Sequence, residues 1–137
     1  MALGFGLGWL MVAVPLSALL VKFVLYQVHK TIGLTVLALA AIRFTILARR
    51  GRPAWDDTLA DWRRRAAKVM HALLYVLLFA VPLLGYLTAA TSPTSVPTLY
   101  LGVIPIPHVV PPDPDWFAML TQVHRALAVT LIVLETG

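Results

Sequence analysis

The chain contains no cysteine, which excludes disulfides, thiolate heme ligation and iron–sulfur clusters together and leaves four histidines as the strong donors for a soft or borderline metal. Charge is also scarce. Only 12% of the 137 residues are Asp, Glu, Lys or Arg, about half the share of a typical soluble domain, so most of the surface is not built for water. No pair of carboxylates falls within an apolar run, which argues against a transporter of hard or borderline cations. No Ser-His-Asp or Cys-His arrangement and no phosphate-cradling glycine loop occurs, so hydrolytic chemistry finds no support. The net charge of +5 does not point to nucleic acid, because the basic residues flank apolar runs instead of lining an aromatic-studded groove.

What is present is a series of apolar segments long enough for lipid. A helix rises 1.5 Å per residue and must cross ~30 Å of hydrocarbon. The segmentation predicts helices over about 1–14, 23–47, 66–90 and 116–137, in one transmembrane domain over 1–137. The first segment is uncharged to Val21 but interrupted by Pro15, and its dozen residues before that proline are too few to cross. Pro82 interrupts the third, where its missing N–H predicts a kink. Residues 91–115 hold seven of the ten prolines, which excludes regular helix and predicts an extended loop or cap outside the bilayer. Asp113 and Asp115 precede the last helix, at the positive end of its dipole.

Eight of the eleven Lys and Arg residues fall between Arg43 and Lys68, and none between Val69 and His124. Positively charged loops stay cytoplasmic, so the 48–65 loop is expected on the cytoplasmic side and the 91–115 loop on the opposite side of the membrane. Trp55 and Trp62 are expected at headgroup level, and Arg43 is expected to reach the cytoplasmic headgroups along its own stem.

An ionisable residue within a span is by default a functional candidate. His29 lies six residues into the second segment, about 9 Å, and His124 eight residues into the fourth, about 12 Å. Two imidazoles at matched depth on facing helices suit axial ligation of a heme iron from both sides. Gly33 lies one turn from His29 on the same face, where an absent side chain would admit a porphyrin. Lys30 and Arg125 follow the two histidines directly and would reach heme propionates. The alternative is that the pair only hydrogen-bonds between helices, in a heme-free structural or assembly subunit. His71, near the cytoplasmic end of its helix, is expected to make a structural hydrogen bond, and His108 to be a solvated loop histidine.

His29-Lys30-Thr31-Ile32-Gly33 with Arg43, then His71 with Tyr75, Pro82 and Gly85, then Val123-His124-Arg125, resemble in order and spacing the bacterial cytochrome b561 family. That family shares its four-helix design with the b-type cytochrome subunits of hydrogenases and formate dehydrogenases. The resemblance covers nearly the whole chain. It implies an all-α integral membrane four-helix bundle in which helices two and four ligate an outer heme b, so that His29 and His124 are the iron ligands. It also implies one-electron transfer in a respiratory or quinone-linked chain, with quinone or another redox protein as partner, lipid around the bundle, and a homodimer as one allowed assembly. Some relatives oxidise superoxide and reduce quinone.

The sequence departs from the family at the inner heme. Family members carry a ligand histidine, usually followed by Trp, near the start of helix one, and nothing before Gly8 or Trp9 supplies it. Their second helix-four histidine lies fourteen residues after the first, a position just past Gly137. The expectation is therefore a cytochrome truncated in helix one and at the end of helix four, with one heme site intact and the second lacking both ligands.

Overall fold

The structure is a computed structural model that describes residues 1–54 and 57–137; Trp55, expected at headgroup level, lies outside the described residues. The described residues form four helices: α1 (Ala2–Ala13), α2 (Leu19–Arg50), α3 (Asp61–Thr91) and α4 (Pro114–Thr136). A single 3₁₀ turn, Leu16–Ala18, links α1 to α2 after Pro15. Helices α2, α3 and α4 are long and apolar enough to cross a membrane, whereas α1 is a shorter apolar helix.

Burial is inverted relative to a water-soluble bundle. Large apolar side chains such as Leu39, Phe44, Val76 and Val133 point outward and are about half exposed or more, as lipid-facing residues are. The buried apolar cluster is small: Leu77, Val81 and Leu131, with Leu74, Leu127, Ala128 and Leu134 packed against it, all on α3 and α4. Helix α1 buries no residue.

The helices extend past the apolar segments that announce them, and each extension has a local cause. Helix α2 begins at Leu19 and passes through Lys22, whose ammonium reaches back to the carbonyls of Val14 (2.9 Å) and Val12 (3.5 Å) at the end of α1. There the cation meets carbonyls that no helical N–H would otherwise satisfy. Helix α3 begins at Asp61, an acidic residue in the first turn. Helix α4 begins at Pro114, whose missing N–H costs nothing at a first helical position, and Asp113 caps it by accepting from the amides of Asp115 (3.0 Å) and Trp116 (3.1 Å). Helix α3 runs continuously through Pro82.

Helix α2 packs on α1 and α3, and α4 packs on α3 and more lightly on α1. The four therefore form a ring in which α2 and α4 lie on one diagonal.

The proline-rich connection is more ordered than an extended loop. It carries a β-hairpin, β1 (Thr98–Tyr100) and β2 (Ile104–Ile106), in antiparallel register with Thr98 opposite Ile106, Leu99 opposite Pro105 and Tyr100 opposite Ile104. Prolines exclude a helix there, but β-branched and aromatic residues at alternate positions favour a strand pair. Leu101 and Gly102, with φ of 55° and 76°, form the left-handed centre of a turn in which the Val103 amide donates to the Tyr100 carbonyl at 3.2 Å, and with Val103 they make a three-residue connection between the paired Tyr100 and Ile104. Glycine takes this conformation freely; leucine does so at a cost of about 1–2 kcal/mol. The hairpin packs on α2.

Candidate functional site

His29 stands ten residues in from the start of α2 and His124 ten residues in from the start of α4, about 15 Å from the two outer helix ends. "Outer" here means the end that carries the hairpin. The residues are thus level, and being on the diagonal helices they face one another across the middle of the ring. Their ring centres are 6.3 Å apart with planes at 81°.

Each ring is oriented by a neighbouring helix through the same device. The Nδ1 of His29 bonds the carbonyl of Gly4 on α1 at 3.0 Å, and the Nδ1 of His124 bonds the carbonyl of Val81 on α3 at 2.8 Å. A carbonyl only accepts, so both Nδ1 atoms carry the proton and donate it. In a helix the carbonyl of residue i points toward residue i+4, whose side chain ordinarily crowds it. Here those residues are glycines. A Cβ on Gly8 would lie 3.0 Å from Cε1 of His29, and one on Gly85 would lie 2.9 Å from Cε1 of His124. Both seats thus pair an accepting carbonyl with a missing side chain four residues on, so all four helices contribute to the site.

With Nδ1 protonated and donating, Nε2 is the lone-pair nitrogen of each ring, and among the described residues it has no hydrogen-bond partner. A metal-ligating histidine is arranged in this way, with its second nitrogen held by a carbonyl that fixes tautomer and orientation. An imidazole nitrogen sits about 2 Å from a bound metal and its ring centre about 1 Å farther, so two rings gripping one ion from opposite sides have centres about 6 Å apart. The observed separation matches. No group of three or more His, Cys, Asp or Glu converges among the described residues. The donor set is two imidazoles, which suits an iron whose remaining positions a macrocycle fills.

Space for a flat group is present on both sides of the pair. A cavity of about 360 Å³ opens toward the outer end and one of about 240 Å³ lies on the other side, and His29, Gly33, Pro82 and His124 line both. They are two lobes of one slot. Gly33 is in the slot wall, and a Cβ on it would meet only Pro82, at 4.0 Å. Lys30 lines the outer lobe, and its ammonium also reaches the carbonyls of Val96 and Pro97 at 3.4 Å. Arg125 is exposed and lines neither lobe. Lys22, which sequence reasoning did not single out, lines the outer lobe with Lys30. Its spacing of seven residues from His29 puts it on the same helix face, a signal that was available.

The other two histidines lie apart. His71 is exposed, with Nδ1 2.8 Å from the carbonyl of Ala67. It is ten residues, about 15 Å, along α3 from Val81. His108 is half-buried instead of solvated, with Nε2 3.0 Å from the hydroxyl of Thr98 and its ring edge-on to Tyr86. Arg43 donates from Nε to the Tyr75 hydroxyl at 3.0 Å, tying α2 to α3.

Fold and site together define a helical membrane bundle with a paired-imidazole slot between its diagonal helices. The sequence model of the prokaryotic cytochrome b561 family matches residues 1–136, and the chain belongs to that family. It is 30% identical over 102 residues to cytochrome b561 homolog 1 of Escherichia coli (strain K12), an alignment that covers 74% of this chain and 56% of that protein. The chain thus spans little more than half the length of this relative. No solved structure matches it. Membership implies heme b as cofactor and makes this a multi-pass bacterial membrane protein of the b-type cytochromes.

Proposed function

We propose that this chain is an electron-carrying membrane cytochrome in which His29 and His124 hold one heme b iron from opposite faces. The observation that carries the reading is the pair of Nδ1-anchored imidazoles with centres 6.3 Å apart. When bound, heme iron supplies reversible one-electron chemistry. If His29 and His124 both held the iron, no position would be left open for oxygen, which would favour electron transfer over oxygen binding. Gly33 keeps the slot wall thin. Lys30 and Lys22 bring cationic heads to the outer lobe, where carboxylate substituents would be met, and Arg125 adds positive charge beside His124. Two converging histidines out of four support a single site in one domain over residues 1–137.

The partner in this reading is quinone or another redox protein of a respiratory chain, in the bacterial inner membrane. The basic residues around the α2–α3 connection favour a cytoplasmic location for it, and hence a periplasmic one for the hairpin. Protein purified from heme-replete cells should show a b-type band in its reduced-minus-oxidised spectrum and one heme per chain. His29→Ala and His124→Ala should each abolish the band, whereas His71→Ala should keep it. A missing band in the parent protein, or equal loss in all three variants, would sink the ligand assignment; a second heme per chain would sink the single-site reading.

A further inference from the structure

The hairpin does not stand above the bundle. Leu99 and Leu101 donate their amides to the Gln27 side-chain oxygen (3.0 Å) and the Thr31 hydroxyl (3.1 Å), and the Tyr100 hydroxyl meets that of Thr35 at 2.8 Å. Its backbone therefore descends along α2. Thr31 is eighteen residues from Arg49, in the basic cluster closing α2, about 27 Å at the helical rise and so within ~30 Å of hydrocarbon. Helix α3 gives the same level independently. Tyr86, which donates to the Pro107 carbonyl (2.6 Å) and accepts from the Val109 amide (3.1 Å), is eighteen residues from Lys68, again about 27 Å.

At that level the segment shows apolar side chains outward: Leu101 is 66% exposed, Val103 75%, Ile104 49% and Val109 76%. Leu101 also occupies a left-handed conformation that disfavours leucine, yet its side chain is left largely exposed. Backbone satisfaction follows the same division. On the edge facing α2, Gln27 and Thr31 accept from the amides, and Gln27 and Lys30 donate to the Pro97 carbonyl. The N–H and C=O of paired strands alternate between inward and outward, and Leu99 turns outward from the ladder to α2. Its partner Pro105 turns outward on the opposite edge, where proline has no N–H to leave unsatisfied. Irregular backbone at membrane depth is tolerated only where its polar groups are met by protein.

We infer that the hairpin is a shallow re-entrant element whose tip, Leu101 to Ile104 together with Val109, seats in the acyl chains of the outer leaflet. The anchor works by the physics of an interfacial amphipathic segment: apolar side chains enter the boundary and the polar edge is turned to the protein. This inference rests on membrane crossing and on the hairpin's contacts, and it stands whether or not the histidines bind heme.

Because the chain has no cysteine, single-cysteine variants Val103→Cys, Val109→Cys and Ser95→Cys can each carry one polarity-sensitive fluorophore in the full chain, reconstituted in phosphatidylcholine vesicles. Ser95 is the aqueous control: its amide bonds the carbonyl of Ser92, which is twenty-four residues from Lys68, about 36 Å and beyond the hydrocarbon. Labels at Val103 and Val109 should be quenched by nitroxide-bearing lipid and shielded from iodide, with blue-shifted emission, and the Ser95 label should behave oppositely. Iodide quenching at Val103 as strong as at Ser95 would overturn the inference. So would shielding from both quenchers that disappears on dilution to one chain per vesicle, since a second copy would then cover the tip. Helical circular dichroism of each variant, matched to the parent, identifies those in which the fold is intact.

Discussion

The two halves of the bundle present their histidines by one rule on unlike foundations. His124 leans on α3, and the α3–α4 pair carries the buried cluster of Leu77, Val81 and Leu131. His29 leans on α1, twelve residues that bury nothing. What the α1–α2 half lacks in packing it recovers in hydrogen bonds, through Gln27, Lys30, Thr31 and Thr35 to the hairpin. In lipid, apolar area gives helices little reason to associate, so close packing and interhelical hydrogen bonds decide stability. The comparison teaches that a ring can be oriented by a local device, a carbonyl and a glycine four residues on, while the stiffness of that device is set by what holds the donor helix in place.

The strongest way to break this comparison is to fill both glycine seats. Gly85→Ala puts a Cβ 2.9 Å from the His124 ring on a helix that cannot retreat. It should lower heme affinity about tenfold or more, the range found when a group orienting a metal-bound imidazole is disturbed. Gly8→Ala makes nearly the same contact, at 3.0 Å, but α1 can move away. Its loss should stay below about tenfold, and thermal stability should hold or rise because alanine favours the helix by about 1 kcal/mol over glycine. Heme titration of the apoprotein measures both. Equal losses would mean that α1 is as firmly held as α3.

A smaller effect should come from the hydrogen-bonded half. Gln27 is 5% exposed and meets both the Pro97 carbonyl and the Leu99 amide. Gln27→Ala leaves the Leu99 amide without a partner and the Pro97 carbonyl with only the longer Lys30 contact at 3.4 Å, at a cost of about 1–3 kcal/mol. Amide exchange should accelerate at Leu99 and Leu101 while Leu131 in the α3–α4 core keeps its protection. Acceleration at Leu131 to the same degree would show that the halves are not independent.

The same division explains what could be read without coordinates. The spans were legible because a lipid-facing helix must be apolar over its whole circumference, and the matched depth of His29 and His124 survives the shift of both helix starts by a few residues. The seats were not legible. Gly4, Gly8, Val81 and Gly85 acquire their meaning only once α1 is known to flank His29 and α3 to flank His124, and no spacing along the chain records which helices are neighbours. Proline count barred helix from 92–113, the expected 91–115 loop less its helical ends, but said nothing of a hairpin, because pairing joins residues such as Thr98 and Ile106 across a turn begun by an unfavourable leucine. Lys22 was overlooked because a charge near a helix start reads as a boundary, whereas here it lies inside α2 with its head on carbonyls of α1. His108 looked solvated because its partner, Thr98, is brought to it only by the hairpin.

The least effect is expected from that last contact, and it sharpens the comparison through pH. Burial, and after it the nearby Lys30 charge, hold the His108 imidazole below its ordinary value of 6.5. The folded state therefore resists a proton that the unfolded loop accepts. The stabilising contribution is complete above about pH 6.5 and is lost as pH falls below that toward the lower folded value. His108 is only partly buried by the protein, so the change should be small. Amide exchange at Leu99 and Leu101, corrected for its intrinsic pH dependence, should rise modestly between about pH 7.5 and 5.5, with Leu131 unchanged. His108→Gln should flatten that rise, since glutamine keeps a hydrogen-bonding group but does not titrate in this range; a rise of the same size in the variant would place the sensitivity elsewhere in the loop.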